Sequence, residues 1–137
     1  MVSYMTKYLK DNDIETVIVC GTLNFVGGII AARLSGTKVI CCDHSNYTCV
    51  YDAKFERESR NFAAYYSDYL VTLTEKDVDN YKNGTRVRAQ ILAIPNIIDD
   101  KLILGSEDIQ YNISSNRIVS VGRLTYAKNY ELLIEIA

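Results

Sequence analysis

The stretch "TVIVCGTLNFVGGIIAARLSGTKVICC", residues 16–42, decides the fold of this chain. It holds two continuous apolar runs, "TVIVC" (16–20) and "KVICC" (38–42). Neither run alternates apolar with polar residues, a pattern typical of parallel strands that are buried on both faces. Between the two runs, residues 24–35 predict a helix with Asn24 as its N-cap. The stretch therefore predicts a strand, a helix and a second, parallel strand.

The predicted helix places Phe25, Ile29 and Ala32 on one face. It also contains Gly27 and Gly28, and each glycine costs up to ~1 kcal/mol in a helix interior. We expect these two glycines to permit close packing of the helix on the sheet.

Apolar runs of the same kind recur further along the chain. They are "YLVTL" (69–73), "QILAI" (90–94) and "RIVSV" (117–121). Helices are predicted at Ser3–Lys10, at Ala53–Tyr66, and after a capping box of Thr74 and Asp77, with Gly84 following its end. The apolar residues near one face of the helix 53–66 are Phe55, Phe62 and Tyr66. Strands that alternate with helices predict an α/β fold, a doubly wound, Rossmann-like parallel sheet with flanking helices.

The alternation breaks at residues 95–116. Pro95 blocks continuation of the fourth strand, and about twenty residues without a clear pattern follow, which is long for a loop inside one compact domain. We therefore predict a first domain at 1–97, an interdomain linker at 98–116 and the beginning of a second Rossmann-like domain at 117–137.

The charge balance excludes several classes of partner. The chain has 15 basic and 17 acidic residues, a net charge of -2, so no basic excess indicates nucleic acid or an anionic membrane surface. No apolar run approaches the roughly 18 residues of a membrane-spanning helix, and the N-terminus shows no signal-peptide pattern. We expect a cytoplasmic protein with no nucleic-acid partner.

The cysteines are Cys20, Cys41, Cys42 and Cys49. The C-x-x-C spacing of zinc or redox sites is absent, and the adjacent Cys41 and Cys42 point to opposite faces of a strand. We predict reduced thiols in the core and no metal site.

The last residues, "IVSVGRLTYAKNYELLIEIA" (118–137), predict a strand, a turn and a helix. Gly122 permits a sharp turn, and Arg123 follows at the carboxyl edge of the strand, where ligands bind in open α/β sheets. Lys128 precedes a helix whose predicted core face is Leu132, Leu133 and Ile136. Two cations beside a helix N-terminus suit an anion such as a diphosphate. The alternative is that both cations are solvated turn residues.

A second candidate site follows the second strand, in "CCDHSNY" (41–47). His44 is the single histidine of the chain, and Asp43 beside it is placed to orient its ring or raise its pKa. The polar residues expected along this cleft edge are Thr22, Asn24, Asp43, Ser45 and Asn46. The alternative is an ordinary loop. The turn at 20–28 matches neither G-x-G-x-x-G nor the P-loop pattern, and no G-x-S-x-G elbow is present.

These blocks resemble family 4 glycosyltransferases, which are retaining enzymes with the GT-B fold. The segment 118–137 resembles the Gly-Arg-Leu block of that family, in which a Lys follows before a helix. Further blocks in the family order are "VICCDHSNY", "YLVTLTEKDVDNYKN" and "AIPNIID". The resemblance implies two Rossmann-like domains, an N-terminal one that binds the acceptor and a C-terminal one that binds the nucleotide-sugar.

The resemblance also implies roles for particular residues. Gly122, Arg123 and Lys128 would bind the donor diphosphate, and the two cations would stabilise the departing nucleotide, so that no metal cofactor is needed. His44 would face the donor sugar. The implied partners are a nucleotide-sugar donor and a sugar or lipid-linked acceptor, in cell-surface polysaccharide or glycolipid synthesis, with peripheral membrane association of the full-length parent.

Two family features have no counterpart in the sequence. Nothing before Ser3 supplies the family's first strand and glycine-rich loop, and no E-x7-E block follows residue 122. We therefore expect an internal fragment or a truncated member that is inactive when isolated. Two alternatives are an inactive Rossmann-like module that acts only in binding or association, and a nucleotide-sugar epimerase of the same two-domain fold.

Overall fold

The structure is a computed structural model that describes residues 1–48, 53–99 and 118–137. The chain divides into two compact units, Met1–Ile97 and Ile98–Ala137. Cys49 and most of the predicted linker 98–116 lie outside the described residues. The assignment of the units to an acceptor-binding and a donor-binding domain stays a prediction.

The first unit alternates helices with strands. Its elements are α1 Val2–Asp11, β1 Thr16–Cys20, α2 Phe25–Ser35, β2 Lys38–Asp43, α3 Ala53–Tyr66, β3 Tyr69–Thr72, α4 Glu75–Gly84 and β4 Gln90–Ala93. The strands form one parallel sheet in the order β1-β2-β3-β4. This arrangement confirms the predicted α/β class, a Rossmann-like parallel sheet with flanking helices. The doubly wound arrangement, with helices on both faces, was wrong for the described residues, in which the core helices pack on one face.

One face of the sheet carries the core. Val19, Cys41, Leu70 and Ile91 are register partners across the four strands, and they point to this face. The helix residues packed in the same cluster are Phe25, Ile29 and Ala32 of α2, Ala63 and Ala64 of α3, and Tyr81 of α4. Each strand lies beside the preceding one, always on the same side of it. When the connections between such parallel strands are right-handed, every connecting helix lies on the same face of the sheet, which explains the single core.

The opposite face of the sheet is open in the described part of the chain. Ile18 is 62% exposed and Leu92 is 40% exposed, while Ile40, Cys42 and Val71 are half-buried. The prediction of strands buried on both faces was therefore wrong for these residues. A continuous apolar run shows that a strand is apolar on both sides, but it does not show which side a helix covers.

Gly28 of α2 allows the helix to approach β1. A Cβ atom at Gly28 would lie 2.6 Å from Cγ2 of Val19, whereas one at Gly27 would meet the Met1 methyl group at 3.5 Å. The predicted close packing is thus confirmed at Gly28. Asn24 is the N-cap of α2, as predicted, but its side chain does not cap the helix. The side-chain amide of Asn24 instead donates to the Cys20 carbonyl at 2.9 Å, and a 3₁₀ turn, Thr22–Asn24, precedes the helix.

Two helix predictions had opposite outcomes. The capping box of α4 is confirmed, because the Thr74 hydroxyl accepts the backbone N–H of Asp77 at 3.1 Å. The apolar face predicted for α3 was wrong for Phe55 and Tyr66, which are exposed, whereas Phe62 is half-buried and packs against the core. The residues that α3 buries are instead Ser59, Arg60, Ala63 and Ala64.

The cysteines divide by the face of the sheet that they occupy. Cys41 points into the core, and burial raises the pKa of its thiol to about 12. Cys42 is half-buried and Cys20 is exposed on the open face. The prediction of core thiols is confirmed for Cys41 and was wrong for Cys20.

The second unit is described over residues 118–137. A 3₁₀ turn, Tyr126–Lys128, precedes α5, Tyr130–Ile136. Residues 118–121 have no strand assignment, because no described segment pairs with them. The core face predicted for α5 was wrong in the described chain, where the helix has no buried residue.

Candidate functional site

The carboxyl edge of the sheet joins the turns that follow β1 and β2. The backbone N–H of Gly21, at the end of β1, donates to the Cys42 carbonyl of β2 at 3.2 Å. Gly21 has a φ of 83°, in the left-handed region that favours glycine. His44 is the first residue after β2, so it lies at this edge, as predicted.

His44 stands over the open face of the sheet. It borders a shallow depression of about 740 Å³ that Ile18, Ile40, Cys42, Val71 and Ile94 also line. The ring is exposed, and it makes no hydrogen bond to the described residues. The ring is therefore accessible to a ligand, and its role in binding a donor sugar stays a prediction.

Asp43 lies in the core and not along the edge where it was predicted. It is 1% exposed, and its carboxylate accepts four hydrogen bonds. The donors are the Ser45 N–H at 3.0 Å, the Ser45 hydroxyl at 2.6 Å, Arg60 Nε at 2.9 Å and the Tyr81 hydroxyl at 2.7 Å. Alternation along β2 sends Asp43 to the face opposite His44, so Asp43 does not orient the His44 ring by direct contact.

Two partners of Asp43, Arg60 and Tyr81, are buried with it. The Arg60 side chain is 4% exposed, and although burial alone would lower its pKa, the charge of Asp43 and their hydrogen bond raise the pKa above its ordinary value. Burial, and then the charge of Asp43, raise the pKa of Tyr81 well above its usual range. At neutral pH the cluster thus holds a charged guanidinium and a neutral phenol, both hydrogen-bonded to one carboxylate.

The other predicted edge residues lie in the two turns, but many of their polar atoms have internal partners. Thr22 is buried, and its carbonyl accepts a hydrogen bond from the Ser59 hydroxyl. The Ser45 hydroxyl bonds Asp43 and accepts from Arg60 at 3.0 Å. The side-chain oxygen of Asn46, Oδ1, accepts the N–H and the hydroxyl of Thr48 at 2.8 and 2.7 Å. The turns are therefore held by internal hydrogen bonds, while the side chains of Asn24 and Asn46 are exposed.

Sequence reasoning missed Arg60 and Tyr81. Arg60 also pairs with Glu56, one helical turn earlier, at 3.8 Å. A weak signal was available: Ala63 and Ala64 follow Arg60 at helical spacing, and small residues there indicate the buried side of α3. Nothing in the sequence pairs Asp43 with Tyr81, which is 38 residues away.

The second candidate site is the loop that carries Gly122, Arg123 and Lys128. A Cβ atom at Gly122 would lie 3.6 Å from Cγ of Lys128 and 2.8 Å from the Tyr130 hydroxyl, so the backbone of Gly122 runs against the Lys128 stem. The Thr125 N–H donates to the Arg123 carbonyl and the Lys128 N–H to the Thr125 carbonyl, both at 2.9 Å. The loop thus folds back on itself.

Both cations of this loop are exposed to solvent. Asn129, which follows Lys128, has a φ of 47°, and this left-handed residue turns the chain into α5. Beside the cations lies a depression of about 350 Å³ lined by Leu124, Thr125, Tyr126, Asn129, Tyr130 and Glu131. The arrangement holds two positive side chains on one short loop, as a diphosphate site requires, and the assignment of a diphosphate stays a prediction.

The described residues show neither a metal site nor a membrane-spanning helix. They contain no group of three or more His, Cys, Asp or Glu side chains arranged to hold a metal ion. Their helices are all too short or too polar to cross a bilayer.

Comparison with known proteins gives one informative likeness. The chain is 29% identical, over 136 aligned residues, to the amylovoran biosynthesis glycosyltransferase AmsD of Erwinia amylovora. The alignment covers 95% of this chain and 38% of the relative. The chain is similar to a glycosyltransferase. No protein-family model and no solved structure matches it significantly. The chain is therefore related to glycosyltransferases, and it spans 38% of the length of the curated relative that it matches.

Proposed function

We propose that the chain is part of a family 4 glycosyltransferase with the GT-B fold, which transfers a sugar from a nucleoside-diphosphate sugar to an acceptor with retention of configuration. The observation that carries the proposal is the folded loop of Gly122, Arg123 and Lys128, in a chain whose similarity to a glycosyltransferase extends over 95% of its residues. The relative is named for amylovoran biosynthesis, and a biosynthetic role with a sugar or lipid-linked acceptor accords with that name.

Arg123 and Lys128 would neutralise the diphosphate as the bond to the sugar breaks. Charge develops on the leaving phosphate in the transition state, so cations already held in place stabilise that state more than the ground state. The dipole of α5 contributes little to this stabilisation of the leaving phosphate, since the helix has only seven residues. We propose that this reaction uses no metal cofactor, and that His44 contacts the donor sugar.

The residues 1–137 alone should bind a diphosphate weakly. Two exposed cations support a dissociation constant on the order of 1 mM, or about -4 kcal/mol. We also expect no sugar transfer by 1–137 alone, because most of the relative's length has no counterpart in it. Turnover by the purified chain that disappears in Arg123→Ala would contradict this second expectation.

The binding proposal is tested by titrating uridine diphosphate, guanosine diphosphate and inorganic pyrophosphate into the chain, with binding followed by ³¹P NMR. Arg123→Gln and Lys128→Gln should each weaken binding about fivefold, as expected for one exposed charged contact of ~1 kcal/mol. Lys10→Gln is the control, because Lys10 is an exposed cation on α1 and the charge change is the same. Equal losses in all three variants would indicate nonspecific attraction and overturn the proposal.

A further inference from the structure

The loop of residues 44–47 is fastened to the core at both ends. At its first end, Ser45 is bonded to Asp43 through its N–H and its hydroxyl, at 3.0 and 2.6 Å. Arg60 of α3 donates to the same hydroxyl at 3.0 Å, while its Nε holds Asp43 at 2.9 Å. The position of Ser45 is therefore fixed by a carboxylate and a guanidinium that are themselves buried.

The second end of the loop is held by α4. The Tyr47 N–H donates to Oδ1 of Asp77 at 3.0 Å, and the Tyr47 ring lies 4.5 Å from the Tyr81 ring, centroid to centroid. Gly84 at the end of α4 leaves room for that ring, since a Cβ atom there would lie 2.8 Å from Cε1 of Tyr47. Tyr81 also donates to Asp43, so it contacts the anchors of both ends.

His44 precedes Ser45 and Tyr47 in the loop and does not share their hydrogen bonds. Its ring is exposed over the open face and makes no hydrogen bond to the described residues, while Ser45 and Tyr47 are fixed. A buried ion pair is a costly way to gain stability, because desolvation offsets much of the attraction between the charges. A cluster of this kind can instead specify one conformation of the segment that it bonds.

We propose that Asp43, Arg60 and Tyr81 form a positioning cluster that holds the loop 44–47, and with it His44, in one orientation at the carboxyl edge of the sheet. The use of His44 on a donor sugar rests on the proposed function, whereas the fixed orientation does not. The three residues act through Ser45 and Tyr47 and do not themselves contact a ligand.

The test uses the whole chain 1–137 and its single histidine. Tyr81→Phe keeps the ring in the core and removes the hydroxyl that bonds Asp43. Tyr65→Phe is the matched control, because Tyr65 is half-buried on α3 and its hydroxyl has no hydrogen bond among the described residues. The measurements are the ring signals of His44 by NMR and the hydrogen exchange of the Ser45, Tyr47 and Val19 amides.

Tyr81→Phe should shift or broaden the His44 ring signals and speed exchange of the Ser45 and Tyr47 amides about fivefold, the effect of losing one buried hydrogen bond. Exchange at Val19, which lies in β1 and outside the loop that the cluster holds, should change by a smaller factor. Tyr65→Phe should leave the His44 signals unchanged. Unchanged His44 signals in Tyr81→Phe, or equal speeding at all three amides, would overturn the proposal.

A second variant covers the case in which Tyr81→Phe does not fold. Ser45→Ala changes an exposed loop residue and removes the hydroxyl that links the cluster to the loop, so the core remains intact. The same local change in the His44 signals is expected, and its absence would overturn the proposal. Neither measurement depends on nucleotide binding or turnover, so a failed diphosphate titration would refute the proposed function and leave this result standing.

Discussion

The adjacent glycines of α2 offer a test of how the helix packs on the sheet. Gly27→Ala and Gly28→Ala make the same chemical change one residue apart in the same helix. A new Cβ atom would meet the Met1 methyl group at 3.5 Å in the first variant, which is ordinary contact. In the second it would lie 2.6 Å from Cγ2 and 2.9 Å from Cγ1 of Val19, which is far too close.

The magnitudes follow from two opposing effects. Alanine is favoured over glycine in a helix interior by up to ~1 kcal/mol, so Gly27→Ala should stabilise the chain by roughly 0.5–1 kcal/mol. Gly28→Ala gains the same amount but overpacks the core, which costs about 1–3 kcal/mol. The free energies of unfolding of the two variants should therefore differ by about 1–3 kcal/mol, with Gly28→Ala the less stable.

Urea denaturation followed by far-ultraviolet circular dichroism measures these differences. The cause is isolated by repeating Gly28→Ala in a Val19→Ala background, where the clashing methyl groups are absent. Gly28→Ala should then stabilise the chain, which gives a coupling energy of about 1–3 kcal/mol between the two sites. Equal stabilisation by both glycine substitutions in the wild-type background would refute the packing of α2 against β1.

Two further predictions concern cysteine reactivity and pH. Iodoacetamide at pH 8 should modify exposed Cys20 rapidly and Cys41 only on unfolding, because burial keeps the Cys41 thiol protonated. Peptide mass spectrometry compares the rates of modification of the two cysteines, and equal rates would place Cys41 at the surface. Burial by itself would raise the pKa of Asp68, but hydrogen bonds from the Val39 N–H and Arg33 lower it below the ordinary value. The stabilisation by Asp68 is therefore complete above about pH 4 and is lost as the pH falls through the folded-state pKa. The stability difference between wild type and Asp68→Asn should shrink on acidification in urea titrations, and a constant difference would contradict the assignment.

Local patterns predicted the elements of the fold well. The Thr74 cap, the apolar face of α2 and the parallel strands all depend on residues close together in the sequence, and the structure has each of them. The burial of Arg60 was only weakly indicated by local pattern, through Ala63 and Ala64, and its partner was not indicated at all. Its partner Asp43 lies 17 residues away on another element, and a charged residue in an amphipathic helix ordinarily indicates the solvated face.

The candidate sites show the same division. The exposed cations Arg123 and Lys128 were recognised from their spacing, and the loop that brings Gly122 against the Lys128 stem was not. Asp43 was placed beside His44 because the two are adjacent in sequence. Successive residues in extended backbone point to opposite faces of the sheet. Asp43, the last residue of β2, therefore points into the core, while His44, the next residue, lies over the open face.

The central claim is that the loop of residues 122–128 binds the diphosphate of a sugar donor. An amide map of the ¹⁵N-labelled chain, titrated with a nucleoside diphosphate and observed by NMR, locates the binding site directly. If this loop binds the diphosphate, the largest saturable shifts should fall on Gly122, Arg123 and Lys128, and Arg123→Gln should remove them. Shifts concentrated in the turn at residues 20–28, or no saturable shift within 122–128, would contradict it.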